Sequence, residues 1–456
     1  MTTSAIQNAI ETLSTGLDGR LILSTDADYD KARVVFVGGV DKRPGAIVRV
    51  KSAGDIQRTI NAARDNGIEL AIRSGGHSSA GHSTTEGGIV LDLREMKGIA
   101  IDAAAQTAWV ETGATANEVI AATAEHGLVV GFGDTGSVGV GGITLGGGVG
   151  YLARKWGLAI DSLIAAEIVT ADGRLLTADA DTNADLFWAI RGGGGNYGVV
   201  TRLKFQLHEL PAFTGGLMVL PATAETVAGF VCAAVEAPEE LSTICNIMPA
   251  PPLPFLPADV HGKLVIFAML AFAGEPAAAE QALAPFRALG PLADMVKPGR
   301  YAQMFPPEDP NMHPTAAAQT MFMKRVDEAT GKTIVDTLKG STAMFSAVQL
   351  RVLEGAVARV PVDATAYAHR SSPIMVNVMA LYTPADRSRQ EAWVAAFADA
   401  LQQDEPGVYV NFVGAEGPKR VRAAYPGKTW ERLQAAKAKY DPGNLFRLNQ
   451  NIAPAR

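Results

Sequence analysis

GVGGITLGGGVG, residues 139–150, places seven glycines among twelve residues. Each glycine inside a helix or strand lowers its stability by about 0.5–1 kcal/mol relative to alanine. So many glycines therefore indicate a function other than forming a regular helix or strand. Glycine lets backbone N–H groups converge on an anion without side chains in the way, which suits a phosphate or pyrophosphate. The interleaved Val140, Ile143, Leu145 and Val149 are typical of a packed loop rather than a linker. We therefore predict an ordered, phosphate-binding loop.

Two further glycine-rich segments point to the same chemistry. RSGGHSSAGHS (residues 73–83) follows an apolar run, and FWAIRGGGGNYGVV (residues 187–200) sets four consecutive glycines between a predicted helix and a predicted strand. Three such loops in one domain suggest a long phosphate-containing ligand rather than a mononucleotide. A Rossmann site is the rival interpretation, since residues 148–153 fit G-x-G-x-x-A, but no strand precedes them and Gly157 would end a helix early.

Length, composition and charge exclude several classes of protein. A chain of 456 residues predicts about two domains, and its 48% hydrophobic and 19% charged residues are typical of a globular protein. The net charge of −7 gives no electrostatic reason for a nucleic acid or an anionic membrane as partner. No apolar stretch reaches the ~18 residues of a membrane span, and residues 1–20 lack a secretory-signal pattern. We expect a cytoplasmic protein.

The two cysteines, Cys232 and Cys245, are too few for a disulfide framework. We expect two buried thiols, with one bridge between them as the alternative. Neither has other metal-ligating residues at a suitable spacing, so no metal site is predicted.

Hydrophobic periodicity predicts a glycine-rich first part of short strands and helices and, from about residue 210, a second α+β domain. The predicted strands are residues 46–50, 69–72, 89–93, 108–111, 164–170, 198–206, 215–220, 263–273, 347–353 and 374–381. The predicted helices are residues 52–66, 115–126, 184–190, 275–289, 331–338, 385–401 and 429–439.

The order of the motifs resembles that of a known flavoprotein family. The motifs are R-S-G-G-H (73–77), G-G-I-V-L-D-L (87–93), V-G-V-G-G (138–142), D-L-F-W-A-I-R-G-G-G-G-N-Y-G-V-V-T (185–201) and Y-D-P-G-N-L-F-R-L-N-Q-N-I (440–452). They are similar to those of the FAD-linked oxidases of the berberine-bridge-enzyme-like branch of the vanillyl-alcohol-oxidase superfamily, whose FAD-binding domain is of the PCMH type.

The resemblance implies a fold and its domain boundaries. It implies an α+β, two-domain flavoprotein whose FAD-binding domain, residues 1–208 with a core at about 38–208, consists of two α/β subdomains. A substrate-binding domain with an antiparallel sheet backed by helices is expected over residues 209–408. Residues 409–456 are expected to return to the FAD domain.

The resemblance also implies a covalent cofactor. In this family the histidine at the position of His77 is joined through a ring nitrogen to the 8α-methyl of FAD, and a neutral imidazole is a good nucleophile near neutral pH. Thr135 stands where many relatives form a second bond through cysteine, so a single link and a smaller substrate are expected, as in 6-hydroxynicotine-oxidase-like members. Val138 stands where valine accompanies reactivity with oxygen. His82 is expected to pack or hydrogen-bond near the flavin.

The remaining FAD-binding residues are carried over from the same motifs. They are Arg73, Ser74, Gly75, Gly76, Ser78, Gly81, Gly136, Ser137, Gly141, Gly142, Thr144, Leu145, Gly146, Gly150, Gly195, Asn196, Gly198, Val199, Val200, Asn411, Asn449 and Asn451.

Four residues are predicted to act on the substrate. Glu354, on a predicted strand over residues 349–357, is the candidate base, because a carboxylate facing a flavin would have a raised pKa; the alternative is a surface residue or an ion pair. YVNF (residues 409–412) replaces the Y-x-N-Y of plant relatives, which leaves Tyr409 and removes the last hydroxyl. Asn377 shares a strand face with two methionines and is its polar candidate for orienting substrate. Tyr367 belongs to the family-like segment 358–370, which could instead serve domain packing.

The implied reaction is that of a flavin oxidase. A C–H bond beside a hydroxyl or amine of a small organic substrate gives a hydride to flavin N5, and O2 then reoxidises the flavin with release of H2O2. The expected partners are the substrate and O2, with no nucleic acid or membrane, and the chain is expected to be a monomer or homodimer. An oxidative cyclase of secondary metabolism, a non-catalytic flavin-binding protein and a reductase with dissociable FAD are the alternatives.

Overall fold

The first part of the chain contains a small, mainly parallel sheet. The computed structural model describes residues 3–309 and 311–455. Its first four strands are β1 (Arg20–Ile22), β2 (Ala46–Arg49), β3 (Leu70–Arg73) and β4 (Ile89–Asp92), and its first helices are α1 (Thr3–Leu13), α2 (Tyr29–Arg33) and α3 (Ala53–Asp65). The strand order is β1-β2-β4-β3, with β2 and β3 parallel to β4 and β1 antiparallel to β2. Ser52 caps α3 by accepting the Asp55 N–H, and α3 buries Ile56 and Ile60 in the core of this sheet.

A second, antiparallel sheet completes the glycine-rich part of the chain. Its strands, with one short ribbon, are β5 (Ile99–Asp102), β6 (Thr107–Glu111), β7 (Leu128–Val129), β8 (Leu163–Val169), β9 (Leu175–Asp179), β10 (Val199–Gln206) and β11 (His208–Glu209). The sheet order is β5-β6-β10-β8-β9, and β7 pairs with β11. The helices of this part are α4 (Ala116–Ala124), α5 (Val140–Leu145), α6 (Ala153–Trp156) and α7 (Ala184–Ile190).

The third sheet has eight antiparallel strands. They are β12 (Thr214–Pro221), β13 (Leu241–Pro249), β14 (Leu264–Phe272), β15 (Ala293–Asp294), β16 (Lys297–Pro298), β17 (Ala316–Met323), β18 (Phe345–Val352) and β19 (Ile374–Leu381), in the order β15-β12-β14-β13-β18-β19-β17 with β16 beside β12. The associated helices are α8 (Ala224–Glu236), α9 (Pro276–Arg287), α10 (Glu328–Lys339), α11 (Ala356–Arg359) and α12 (Arg387–Leu401).

Side chains alternate across this large sheet, which leaves one face free to form a site. On β19, Ile374, Val376 and Val378 are buried against the core that the helices share with the sheet. Asn377 points to the opposite face, as the alternation of a strand requires. The functional residues described below lie on that opposite face.

The C-terminal segment packs back onto the glycine-rich part. Its helices are α13 (Pro418–Ala423) and α14 (Lys428–Tyr440), and 3-10 helices occur at Ala159–Asp161, Ala258–Val260, Tyr301–Met304, Pro384–Asp386 and Val410–Phe412. The buried Lys437 ammonium donates to the carbonyl oxygens of Asn196 (2.8 Å) and Phe446 (2.9 Å) and to the Asp441 carboxylate (2.6 Å). One buried cation thus joins the tail to the four-glycine run.

The α+β class and most predicted elements are confirmed, and the predicted strand over residues 349–357 is wrong at its end. Strand β18 stops at Val352, and Glu354 lies in a turn with a φ of 28° ahead of Gly355, whose φ is 56°. Cys232 is exposed rather than buried, and both cysteines are free thiols. Strands β13 and β17 and helix α8 were not predicted.

Among residues 3–309 and 311–455, no helix combines the length and apolar character that crossing a bilayer requires.

Candidate functional site

The three glycine-rich segments, the C-terminal tail and the open face of the large sheet enclose one cavity of about 410 Å³. Most predicted FAD-binding residues line it. They are Ser74, Gly75, Gly76, His77, Ser78, His82, Thr135, Val138, Gly141, Gly142, Leu145, Gly195, Asn196, Gly198, Val199, Val200, Asn411 and Asn449. Of the predicted catalytic residues, Tyr409 and Asn377 line it.

Two of the glycine-rich loops meet backbone to backbone. A Cβ atom on Gly75 would lie 2.2 Å from the Gly139 nitrogen, and one on Gly139 would lie 2.2 Å from the Gly75 nitrogen. No side chain fits at either position, so glycine is required for the loops to form one wall. By contrast, Cβ atoms on Gly142 and Gly195 would meet no atom within 4 Å. Since both residues line the cavity, side chains there would occupy space that a ligand needs.

His77 lines the cavity and is held there by two neighbouring side chains. Its ring stacks on Phe36 with centroids 4.1 Å apart, and its Nε2 lies 3.1 Å from the Ser137 hydroxyl oxygen. Burial lowers the pKa of His77 below that of a free imidazole, partly opposed by the charge of Glu308. His77 is therefore neutral at neutral pH.

His82 also lines the cavity. Burial and the charge of Lys42 lower the pKa of His82 to about 4. The cavity wall therefore carries two neutral imidazoles at neutral pH.

The YVNF segment holds the loop that follows α5. The Tyr409 hydroxyl oxygen accepts hydrogen bonds from the Gly148 N–H (2.9 Å) and from the Asn411 amide (2.9 Å). The same amide donates to the Ile143 carbonyl at 2.9 Å. Burial raises the pKa of Tyr409, although these donors oppose the shift. Tyr409 and Asn411 thus hold the cavity wall in place, and the Tyr409 hydroxyl oxygen accepts two hydrogen bonds.

At the cavity, a charged pair joins strand β18 of the large sheet to the glycine-rich part of the chain. The Arg351 guanidinium, on β18, donates to the Asp134 carboxylate at 2.7 Å, to the Val149 carbonyl at 2.9 Å and to the Gln349 side chain at 2.8 Å. Arg351 is almost fully buried, whereas a quarter of the Asp134 side chain (26%) is exposed. Both residues line the cavity, so a partly free carboxylate faces it.

Next to this pair, Asn377 offers an unused acceptor. Its register partner on β18 is Gln349, whose amide donates to Asn246 at 2.9 Å. The buried Asn377 amide oxygen has no hydrogen-bond partner among residues 3–309 and 311–455. An unpaired buried acceptor of this kind is costly, which suits a position that binds a ligand donor.

Several predicted FAD-binding residues lie outside the cavity lining. They are Arg73, Gly81, Gly136, Ser137, Thr144, Gly146, Gly150 and Asn451. The buried Arg73 guanidinium instead donates to the carbonyl oxygens of Ala32, Arg33 and Ser83. These hydrogen bonds hold the turn before His77 in place from outside the cavity. A Cβ on Gly146 would lie 2.0 Å from the Asn411 side chain, so this glycine allows close packing.

Two predicted catalytic residues also lie outside the lining. Because β18 ends at Val352, the turn takes Glu354 away from the open sheet face, and its charge acts on Arg154 instead. Tyr367 is buried beside Tyr409, with ring centroids 6.2 Å apart and the Arg370 guanidinium 5.1 Å from its ring centre. Its buried hydroxyl oxygen has no hydrogen-bond partner among the residues that the structure describes, and its catalytic role stays a prediction.

Sequence reasoning missed Asp134, Arg351, Ala318, Phe412 and Gln450, which also line the cavity. Asp134 directly precedes the loop that begins at Thr135, and this adjacency was the available signal. Alternation along β18 puts Arg351 on the same sheet face as Gln349. The sequence does not show that Asp134, 217 residues away, packs against that face.

Comparisons with known proteins identify the family of the chain. A family model described as an FAD binding domain matches residues 44–179, and one described as berberine and berberine like matches residues 408–453. The FAD-linked oxidoreductase YgaK of Bacillus subtilis is 30% identical over 459 residues, covering 97% of this chain and 98% of that protein. (R)-6-hydroxynicotine oxidase of Paenarthrobacter nicotinovorans is 30% identical over 453 residues, covering 96% of this chain and 97% of that protein.

Solved structures show the same architecture. The crystal structure of 6-hydroxy-D-nicotine oxidase from Arthrobacter nicotinovorans superposes with a TM-score of 0.83 at 27% identity, covering 96% of this chain and 99% of that chain. A chitooligosaccharide oxidase superposes with a TM-score of 0.86 at 21% identity, covering 99% of this chain and 100% of that chain. The second likeness concerns the fold alone.

Proposed function

Because the chain belongs to the berberine-bridge-like family of FAD-linked oxidoreductases, we propose that it is an oxidase whose FAD is bound covalently through His77. The proposed substrate is a small organic molecule that loses hydride from a carbon beside a hydroxyl or amine. The observation that carries the proposal is the position of His77: a neutral imidazole, held by Phe36 and Ser137, lines the cavity between glycine-rich loops.

The residues of the cavity fit FAD. Gly142 and Gly195 leave open space where side chains would project, and the buried Asn449 amide oxygen has no hydrogen-bond partner among the residues that the structure describes. Glycine backbone and an unpaired amide are what an extended ligand with a pyrophosphate needs. When bound, FAD accepts the hydride and passes the electrons to O2, which yields H2O2. Val138, the residue that the family resemblance connects with oxygen reactivity, lines the same cavity.

The open sheet face supplies the groups proposed to bind substrate. The Asn377 amide oxygen is free to accept an O–H or N–H hydrogen, and Arg351 and Asp134 bring a positive and a negative charge to the same cavity. One relative is named for hydroxynicotine as its substrate. A small substrate with a hydroxyl or amine suits this set of groups.

Asp134 is the proposed proton acceptor. It is a carboxylate that lines the cavity, it is partly exposed, and the buried Arg351 holds it in place. A general base has to come within hydrogen-bond reach of the proton it removes, and Glu354, outside the lining, does not face the cavity. Tyr409 is proposed to position the loop that carries Gly148 and to offer its oxygen to the substrate side of the cavity.

Acid precipitation tests the covalent bond. Purified wild-type protein and His77→Ala are precipitated with acid, and the flavin absorbance is measured in pellet and supernatant. We expect the colour to stay in the wild-type pellet and to enter the supernatant of the variant. Free flavin from the wild type would overturn the covalent assignment and favour an enzyme with dissociable FAD. Peroxide release with candidate alcohols and amines then tests the oxidase.

A further inference from the structure

A chain of hydrogen bonds runs from the large-sheet part of the molecule to His77. In the segment of residues 305–309, one Glu308 carboxylate oxygen accepts the N–H groups of Gly136 (2.8 Å) and Ser137 (3.0 Å). The other oxygen accepts the Ser137 hydroxyl at 2.5 Å. The Ser137 oxygen lies 3.1 Å from His77 Nε2. The carboxylate, the hydroxyl and the imidazole therefore form one continuous chain.

The chemistry of the three groups fixes the direction of this chain. A carboxylate that receives three hydrogen bonds acts only as an acceptor, and a serine hydroxyl has one hydrogen to donate. Because that hydrogen goes to Glu308, the Ser137 oxygen can only accept from His77. The proton of the neutral imidazole therefore lies on Nε2, and the lone pair lies on Nδ1.

We propose that Glu308 and Ser137 are positioning residues that hold the His77 proton on Nε2, so that Nδ1 is the nitrogen that bonds to FAD. This inference rests on the covalent attachment proposed above. It adds two residues outside the His77 loop and gives them a role in flavin attachment. Neither side chain acts directly on the bond-forming Nδ1 in this proposal, since both act through the opposite nitrogen of the imidazole.

The same chain removes the proton that the reaction releases. Attachment forms one bond between Nδ1 and the 8α-carbon and breaks one C–H bond of that methyl group and the Nε2–H bond of His77. The Nε2 proton leaves through the Ser137 hydroxyl to Glu308. The two electrons would go to O2, the oxidant of the proposed reaction, which with the methyl proton and the Nε2 proton would become H2O2, so atoms and electrons balance.

The ring plane of His77 is fixed independently of this chain. Phe36 stacks on the ring at 4.1 Å with planes 15° apart, and the Phe36 carbonyl lies 3.2 Å from His313 Nδ1. The Gly38 N–H donates to the Pro314 carbonyl at 2.9 Å. Packing therefore holds the ring in place, and the chain through Ser137 decides which nitrogen carries the proton.

Glu308→Gln tests the direction of the chain. The glutamine amide keeps an oxygen for the two backbone N–H groups but donates to the Ser137 oxygen, so the serine hydrogen turns toward His77 and moves the imidazole proton to Nδ1. Each protein is purified as expressed and incubated with excess FAD in air, and the covalent fraction is followed over time by acid precipitation. We expect attachment to slow by about tenfold or more, since a wrong imidazole tautomer is costly for nucleophilic chemistry. Reversible FAD binding, measured by quenching of flavin fluorescence, should stay close to that of wild type.

Three further variants separate the proposal from a general effect on the loop. Ser137→Ala should slow attachment as Glu308→Gln does, whereas Ser137→Thr keeps the hydroxyl and should restore it. Asp309→Asn changes the neighbouring carboxylate, which bonds within the loop to Asn311, and should attach FAD at the wild-type rate. Wild-type rates in both Glu308→Gln and Ser137→Ala would overturn the proposal.

The linked nitrogen is read directly from wild-type protein. After proteolysis, the flavin peptide is isolated and through-space proton NMR contacts of the 8α-methylene are recorded. A bond to Nδ1 places the methylene beside the histidine Cβ protons, whereas a bond to Nε2 places it beside the Cδ2 proton. We expect contacts to Cβ. A bond to Nε2 would overturn this inference and leave covalent attachment intact, while wild-type protein without covalent flavin would overturn both.

Discussion

The Asp134 carboxylate owes its proposed role to two properties of one side chain. It faces the cavity, and its contact with the buried Arg351 at 2.7 Å leaves part of the carboxylate free. A base that removes a substrate proton in the transition state contributes about 10²–10⁴-fold to the rate. We therefore expect Asp134→Asn to lower kcat by about a hundredfold while the flavin stays bound, since the amide keeps the shape and loses the basicity. Rapid-mixing reduction of the flavin by substrate measures this step.

Glu354→Gln is the matched control for that measurement. Its carboxylate lies in the turn after β18, outside the cavity lining, so flavin reduction should change by less than about twofold. The opposite result, with a slow Glu354→Gln and a normal Asp134→Asn, would return the role of base to Glu354. Two carboxylates are thus distinguished by one pair of isosteric variants.

At the scale of single elements, the glycines of the three glycine-rich segments serve different purposes. Gly75 and Gly139 allow two backbones to touch, whereas Gly142 and Gly195 keep cavity space open. We expect Gly142→Val and Gly195→Val to abolish FAD binding, because each side chain would enter the cavity. The loss of folding stability should be small, because neither glycine has a positive φ and a Cβ atom built on either has no neighbouring atom within 4 Å. Flavin content after purification and the thermal unfolding midpoint measure the two effects.

Gly443→Val controls for the change of residue type. This glycine is exposed, it also has no neighbour within 4 Å of a built Cβ, and it does not line the cavity. Full flavin content is expected there. If Gly142→Val and Gly195→Val also bound FAD normally, the cavity between the loops would not be the cofactor site.

The elements that sequence reasoning predicted are those whose signal is local. The strand Ile374–Leu381 and the helix Ala184–Ile190 were predicted at their observed bounds, because alternation, helical spacing and flanking turn residues are properties of the segment itself. Strand β17 was missed, since its sequence AAAQTMFM contains alanines that favour a helix and becomes a strand only by pairing with β19. Helix α8 was missed because its valines and glycine weaken the helical propensity.

The residues of the site that could be predicted from sequence are those that lie together in contiguous motifs. The glycine-rich loops and His77 are contiguous, and the residues around them were found. The pairs Arg351–Asp134 and Ser137–Glu308 join positions 217 and 171 residues apart, so their existence depends on how the parts pack. The end of β18 was mispredicted because the residues after Val352 carry no proline or other breaker before Gly355.

At the scale of the whole molecule, buried polar contacts hold the parts together. The Arg370 guanidinium makes two hydrogen bonds of 2.7 Å to the Asp161 carboxylate, and both side chains are nearly inaccessible. Lys437 joins the tail to the four-glycine run in the same way. The segment with Arg370 is therefore joined to the glycine-rich part by a buried ion pair.

The buried histidines make the stability of the whole chain depend on pH. Burial lowers the pKa of His82 to about 4 and also lowers the pKa of His369, whose Nε2 donates to the Ala424 carbonyl at 3.1 Å. In the unfolded chain both titrate near 6.5, so between that pH and the folded pKa the unfolded state binds more protons. The free energy of unfolding should therefore fall as the pH drops below about 6.5, and these groups add no slope above it.

His369→Gln tests this dependence without touching the cavity, because His369 does not line it. Urea unfolding is measured from about pH 8 to about pH 5 for wild type, His369→Gln and the exposed His126→Gln. We expect His369→Gln to be less stable at every pH, since it loses the stacking on Phe322 at 4.8 Å, but to lose stability more gradually below about pH 6.5 than wild type does. His126→Gln should follow the wild-type curve. Parallel curves for all three proteins would show that His369 gains no proton on unfolding, and the acid sensitivity would then have to come from other groups, such as His82 or Asp92, whose pKa is lowered by Arg94 despite its burial.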